Sequence, residues 1–212
     1  MIVITDVRPH KRTKLFEVYS EAGMEFLANE KFLIQNEIRR YTEFDEEDFQ
    51  VLKARAQILD GIRKSVDILS IKDYSRQELL RKLCDKGVPE DAARAAVGYM
   101  TENGYQDDLR YAKRLAELAS RNYGRRRAEQ VLYHHGIDRE TAKEALDEIY
   151  SEDLDEDGKL DRIVEKAALG KDLKDPAQRN KIYAKLARLG YDSSAISAAV
   201  ARLEAKREDD TV

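Results

Sequence analysis

Three glycines set the frame of this chain. Gly87, Gly136 and Gly190 each follow a short amphipathic segment and precede another. Four residues before each stands a leucine, Leu83, Leu132 or Leu186. One residue after stands Val88, Ile137 or Tyr191. Further on, at matched distances, come Ala96, Ala145 and Ala199, then Val97, Leu146 and Val200, then Met100, Ile149 and Leu203. Apolar residues in these columns are what a helical hairpin turning at glycine must bury. A further helix precedes each hairpin. Ile62, Val66 and Leu69 stand at the same distances before Gly87 as Tyr111, Leu115 and Leu118 before Gly136, and Leu169 keeps one of these positions before Gly190. The period is a three-helix unit of about fifty residues, too small to be stable without its neighbours.

The sequence therefore predicts a mainly α fold: tandem three-helix repeats in an elongated array, with a small strand-containing N-terminal extension. Residues 1–44 form the strand-rich extension, with strands around Ile2–Val7, Leu15–Tyr19 and Met24–Ala28. The segment Asn29–Ile38 is ambiguous between strand and helix. Residues 45–104 form the first three-helix unit, 105–151 the second, and 152–212 an acidic linker and the third. A long helix starts at Asp45 with Phe49, Leu52, Ala56, Leu59, Ile62, Val66 and Leu69 on one face, fading near Lys72. Ser75 with Glu78 is a capping box opening the next helix. Pro89 stands at the start of the one after it.

Composition narrows the function classes. Lys and Arg number 38 against 42 Asp and Glu, a formal charge of −4, so any role on nucleic acid must come from local charge. No apolar run is long enough to cross a membrane. A single cysteine, Cys84, excludes an internal disulfide and fits a reducing cytoplasm. There is no phosphate loop, dinucleotide fingerprint or nucleophile elbow, so an enzyme is not expected.

Two stretches resemble the RecX family of bacterial recombination regulators. One is Ser75-Arg76-Gln77-Glu78-Leu79-Leu80-Arg81-Lys82-Leu83 with Lys86-Gly87. The other is Asn103-Gly104-Tyr105-Gln106-Asp107-Asp108-Leu109-Arg110-Tyr111-Ala112. The resemblance runs from about residue 58 to 205, and the extension before it is similar to that of members from Gram-positive bacteria. It implies a non-enzymatic, monomeric regulator that binds the RecA recombinase filament on single-stranded DNA and reduces its ATPase, strand-exchange and co-protease activities, with the single-stranded DNA itself a further candidate contact. The second stretch also has a structural reading. Gly104 ends a helix, Tyr105 plugs the gap between units, and Asp107 or Asp108 caps the next helix.

The candidate binding residues are basic. Arg110, Lys113 and Arg114 share a helix face, Arg121 ends that helix, and Arg125, Arg126 and Arg127 open the next. Arginine forks suit carboxylates of a partner or phosphates of DNA, and three arginines at a helix start oppose the helix dipole. An acidic run follows, ten acids against Lys143 and Lys159 over 140–161. Within it, Asp153, Asp155, Asp157 and Gly158 match half of a calcium loop, but Val164 stands where the bidentate glutamate is needed. No metal or cofactor is expected. His134-His135 lacks further ligands, and Cys84 reads as an inert thiol. The alternative is a helical protein acting directly on DNA through a helix-turn-helix-like unit.

Overall fold

The computed structural model describes residues 1–151 and 156–209. It is mostly helical, with a small N-terminal sheet, and divides into two compact units, Met1–Asp107 and the chain from Asp108 onward.

The first unit opens with β1 (Ile2–Val3), β2 (Asp6–Pro9), β3 (Phe16–Ser20) and β4 (Gly23–Ala28). β2, β3 and β4 form an antiparallel meander in which Val7 faces Val18 and Val18 faces Phe26 across the ladder. The ambiguous segment is helical over α1 (Glu30–Gln35): Asn29 accepts the Phe32 N–H at 2.8 Å and so caps it. A strand not expected from the sequence, β5 (Glu43–Phe44), pairs with β1.

The helix α2 (Glu46–Leu69) begins at Asp45, which accepts the Asp48 N–H at 2.8 Å. Its 24 residues span about 36 Å. Its first half closes the N-terminal core: Phe49, Leu52 and Ala56 pack with Ile4, Val18, Phe26 and Phe32. Its second half belongs to the first helical bundle, with α3 (Arg76–Asp85) and α4 (Glu90–Glu102), around Ile68, Leu79, Leu83, Val88, Ala93, Ala96 and Val97. The Ser75–Glu78 capping box is present.

The second unit repeats the bundle twice. α5 (Asp108–Ser120), α6 (Arg125–His134) and α7 (Arg139–Ser151) enclose Ala112, Ala116, Ala128, Leu132, Ile137, Ala142, Ala145 and Leu146. α8 (Glu156–Ala167), α9 (Pro176–Arg188) and α10 (Ser193–Asp209) enclose Leu160, Val164, Ile182, Leu186, Tyr191, Ile196, Ala199, Val200 and Leu203.

The hairpin columns are explained by one turn used three times. Gly87, Gly136 and Gly190 have φ of 80°, 76° and 90°, the left-handed conformation that ends a helix. In each, the residue after glycine donates its N–H to the carbonyl of the leucine four before it: Val88 to Leu83 at 3.1 Å, Ile137 to Leu132 at 3.1 Å, Tyr191 to Leu186 at 3.4 Å. That bond stacks the two flanking apolar side chains, and both are buried in every copy.

The first-helix columns are corrected. Val66 and Leu118 are about half exposed, Leu169 lies beyond α8 at 82 % exposure, and Leu59 faces outward. The buried faces are instead Gly61, Ser65 and Ile68 on α2, Ala112, Ala116 and Ala119 on α5, and Leu160, Val164 and Ala167 on α8. Each set has the same spacing, but the linker to the next helix differs: six residues at 70–75, four at 121–124 and eight at 168–175. A fixed distance from the turn glycine therefore fails at Val66, Leu118 and Leu169, whereas Tyr111 is buried and Ile62, Leu69 and Leu115 pack at the core edge. Tyr105 is also reassigned. It is exposed, and the neighbouring Gln106 is the buried plug, donating to the Tyr74 carbonyl at 3.2 Å and accepting from the Thr101 hydroxyl at 2.9 Å.

Two outcomes follow for stability. A Cβ on Gly61 would sit 2.9 Å from Ala96 Cβ, whereas one on Gly98 of α4 would meet nothing within 4 Å. Gly61→Val is expected to destabilise by roughly 1–3 kcal/mol through overpacking. Gly98→Ala is expected to stabilise by about 0.5–1 kcal/mol. Urea unfolding checks both. In the N-terminal core, burial pushes Glu25 up, but hydrogen bonds from Lys53 and Ser20 and the Lys53 charge outweigh it and hold the carboxyl below its ordinary value. A lowered folded value stabilises above the ordinary carboxylate range and is lost as pH falls through it. Lys53→Met should therefore cost about 1–2 kcal/mol near neutral pH, with the gap from wild type closing in acid. Thermal melts across pH measure it.

Candidate partner-binding surface

On α5 the alanines at 112, 116 and 119 turn inward, which leaves Arg110 and Arg114 exposed one turn apart on the outer side. Lys113 lies to one side and pairs with Glu148 of α7. Arg121, just past α5, reaches back to Glu117 at 3.8 Å. Gly124 is the N-cap of α6 and offers no capping side chain, and no acid stands in the first turn. Arg125, Arg126 and Arg127 follow it directly and are exposed. Arg125 pairs with Asp147 of α7, Arg126 with Asp192 at 2.8 Å, and Arg127 donates to Gln130 at 2.8 Å.

All seven sequence-selected side chains thus lie on the second unit, but they are not one bare cationic patch. Lys113, Arg121, Arg125 and Arg126 face carboxylates from four positions: Glu117, Asp147, Glu148 and Asp192. Asp147 and Glu148 belong to the acidic run, so part of that run is spent on its own basic neighbours. In these pairs the side chains are mostly more than a third exposed. Pairs of this kind are worth about 0–1 kcal/mol each and orient the cations without locking them.

The remaining chemical candidates resolve as structure. His135 caps α6, and its ring meets Tyr111 edge-on at 6.0 Å, with the Tyr111 hydroxyl 3.3 Å from Nδ1. Cys84 is half-buried against the first bundle. Asp138 caps α7: hydrogen bonds from the Thr141 hydroxyl and the Thr141 and Glu140 N–H groups hold its carboxyl below the usual range. Of the half calcium loop, Asp153 and Asp155 lie outside the described residues. From Glu156 the chain is already helical to Ala167, where a calcium-binding loop would have to continue to residue 164. Among the described residues no group of His, Cys, Asp or Glu could hold a metal, and no helix is long and apolar enough to cross a membrane.

Sequence reasoning missed how the third bundle is fastened to the second. The α9–α10 turn lies directly on the start of α6. The Gly124 N–H donates to the Leu189 carbonyl at 2.9 Å. A Cβ on Gly124 would stand 2.5 Å from the Gly190 carbonyl oxygen, and one on Gly190 would stand 2.4 Å from the Arg127 nitrogen. The contact is backbone on backbone, with the Arg126–Asp192 pair alongside. The available signal was a comparison of N-caps: Ser75 and Asp175 carry capping side chains, and Gly124 carries none.

Gly124→Ala is therefore expected to destabilise the second unit by about 1–3 kcal/mol and to raise hydrogen exchange at Leu189–Asp192. Arg126→Ala, which removes only the exposed pair, is expected to cost less than about 1 kcal/mol and to leave that exchange nearly unchanged.

Residues 62–100 match the family model described as RecX, first three-helix domain, and residues 107–146 match RecX, second three-helix domain. The regulatory protein RecX of Stenotrophomonas maltophilia strain R551-3 is 34% identical over 145 residues, covering 68% of this chain and 87% of the relative. That of Xanthomonas axonopodis pv. citri is 32% identical over 139 residues, covering 65% and 84%. A crystal structure titled regulatory protein RecX superposes with a TM-score of 0.68 over 93% of this chain and 98% of the other at 19% identity. RecX from Lactobacillus salivarius superposes with 0.62 over 70% and 97% at 22% identity. At those identities the two structures speak for the fold.

Proposed function

The chain belongs to the RecX family of regulatory proteins, and on that premise we propose that it regulates DNA recombination and repair by binding the RecA filament on single-stranded DNA. Bound there, it lowers the filament's ATPase, strand-exchange and co-protease activities, and does so as a cytoplasmic monomer and a binder rather than a catalyst. Family membership is the observation that carries this reading. The division into an N-terminal extension, two three-helix units and a linked third unit, with boundaries near 45, 105 and 152, belongs to it, because repeated bundles can engage successive subunits of a helical partner.

The contact surface in this reading is the basic face of the second unit: Arg110, Lys113, Arg114, Arg121, Arg125, Arg126 and Arg127. What supports it is placement. Arg110 and Arg114 are presented outward by a helix whose other side is buried, and the exposed pairs around Arg121, Arg125 and Arg126 are weak enough to be exchanged for a partner's carboxylates.

The test is ATP hydrolysis by the cognate RecA on single-stranded DNA with the protein titrated in. Suppression at sub-stoichiometric amounts is expected, and Arg110→Glu with Arg114→Glu is expected to raise the amount required by tenfold or more (about 1.4 kcal/mol). Full-strength inhibition by the double variant would remove those two residues from the site. No inhibition at saturation, with tight binding to bare DNA, would favour the direct DNA-binding alternative.

A further inference from the structure

The N-terminal meander carries a cationic feature that the reading above does not use. β2 and β3 are paired out to Pro9 and Phe16, where β4 stops opposite Phe16 at Ala28. Residues 10–15 form the turn that closes the β2–β3 ribbon at this end. The tip is internally fastened. The His10 N–H donates to the Leu15 carbonyl at 2.8 Å, and the Arg12 N–H donates to His10 Nδ1 at 3.3 Å. Because Nδ1 accepts there, the Thr13 hydroxyl, 2.9 Å away, donates to it as well, and accepts the Leu15 N–H at 3.3 Å. His10 and Thr13 are thus spent on holding the turn.

What the turn presents outward is Lys11, Arg12 and Lys14, all exposed. Among the described residues none of the three forms an ion pair. The nearby charges are already used: Arg8 pairs with Asp6 at 2.6 Å and lies over the Tyr19 ring, and Glu17 accepts from the Tyr19 hydroxyl at 2.7 Å. This contrasts with the α5–α6 surface, where most cations have a carboxylate of the chain itself.

We propose that this hairpin tip is a binding site for the phosphodiester backbone of nucleic acid, with Lys11, Arg12 and Lys14 each contacting a phosphate. Three cations on a preformed turn bind a polyanion by releasing its counterions. A two-stranded ribbon is narrow enough to enter a duplex groove or to lie along a single strand. No aliphatic or aromatic side chain lies between Lys11 and Lys14, so the turn has nothing to insert into a bilayer. Contacts to phosphates alone carry no sequence information, so binding through these three cations is independent of sequence. The site is separate from the RecA contact and is tested without RecA.

The experiment is fluorescence anisotropy of the full-length protein with labelled single-stranded and duplex oligonucleotides, titrated between about 50 and 200 mM salt. The variant Lys11→Gln/Arg12→Gln/Lys14→Gln is expected to bind at least about tenfold more weakly at the lowest salt, and the slope of log K against log salt is expected to fall by about 2 on single strands and about 3 on duplex. Which of the two substrates loses more identifies the natural source of the phosphates. Lys11→Arg/Lys14→Arg should bind as wild type, and all variants should keep the wild-type thermal midpoint. No binding by wild type at the lowest salt, or an unchanged slope in the triple variant, overturns the proposal. So does loss of DNA binding only on Arg125→Glu/Arg126→Glu/Arg127→Glu. Loss of binding to phosphatidylglycerol vesicles with DNA binding intact overturns it in favour of a membrane surface.

Discussion

Each of the three helical hairpins hangs on the hydrogen bond that crosses a left-handed glycine. When the residue after the glycine donates back to the carbonyl of the leucine that starts the last turn, the chain reverses and two apolar side chains meet at the bend. That meeting is the seed of each bundle. Leu83 with Val88, Leu132 with Ile137, and Leu186 with Tyr191 are all buried, and the alanine and branched residues further along the returning helix follow from the same geometry. The first helix of each unit packs across the hairpin that follows it.

This order of dependence explains what could be read from the sequence. Within a hairpin the turn locks the register of both helices, so fixed distances from Gly87, Gly136 and Gly190 find core residues, all buried except Ile149, which packs at the core edge. Across the linker to the first helix no such lock exists. The linkers are six, four and eight residues long, and burial moves from Val66 to Ser65, from Leu118 to Ala119, and from Leu169 to Ala167. Apolar content misled as well. Gly61 and Ser65 look like gaps in an apolar stripe, yet they are where α2 comes close to α4. The same bias made Tyr105 the plugging residue, whereas it is exposed and the neighbouring Gln106 is buried, its amide bonded to Thr101 and Tyr74.

The basic residues show a different limit. Their positions were legible as charge on a helix face, and Arg110 and Arg114 lie outward as that pattern requires. Their partners were not legible, because Asp147, Glu148 and Asp192 come from helices and turns that only tertiary folding brings near. Gly124 was legible only as a missing N-cap side chain. Its role is an empty space into which the Gly190 carbonyl fits, and a missing side chain leaves no pattern in hydrophobicity or charge.

The long helix α2 carries one more consequence. Its first half is a wall of the sheet-bearing core and its second half a wall of the first bundle, with no break in the backbone hydrogen bonding between Phe49 and Ile68. Two hydrophobic cores that share a rod in this way share their melting. Fraying of the sheet removes the packing that keeps the rod's first turns wound, and loss of the bundle does the same from the other end. Residues 1–107 are one compact unit built from two architectures. The sheet is as much a stabiliser of the helical bundle as an appendage to it.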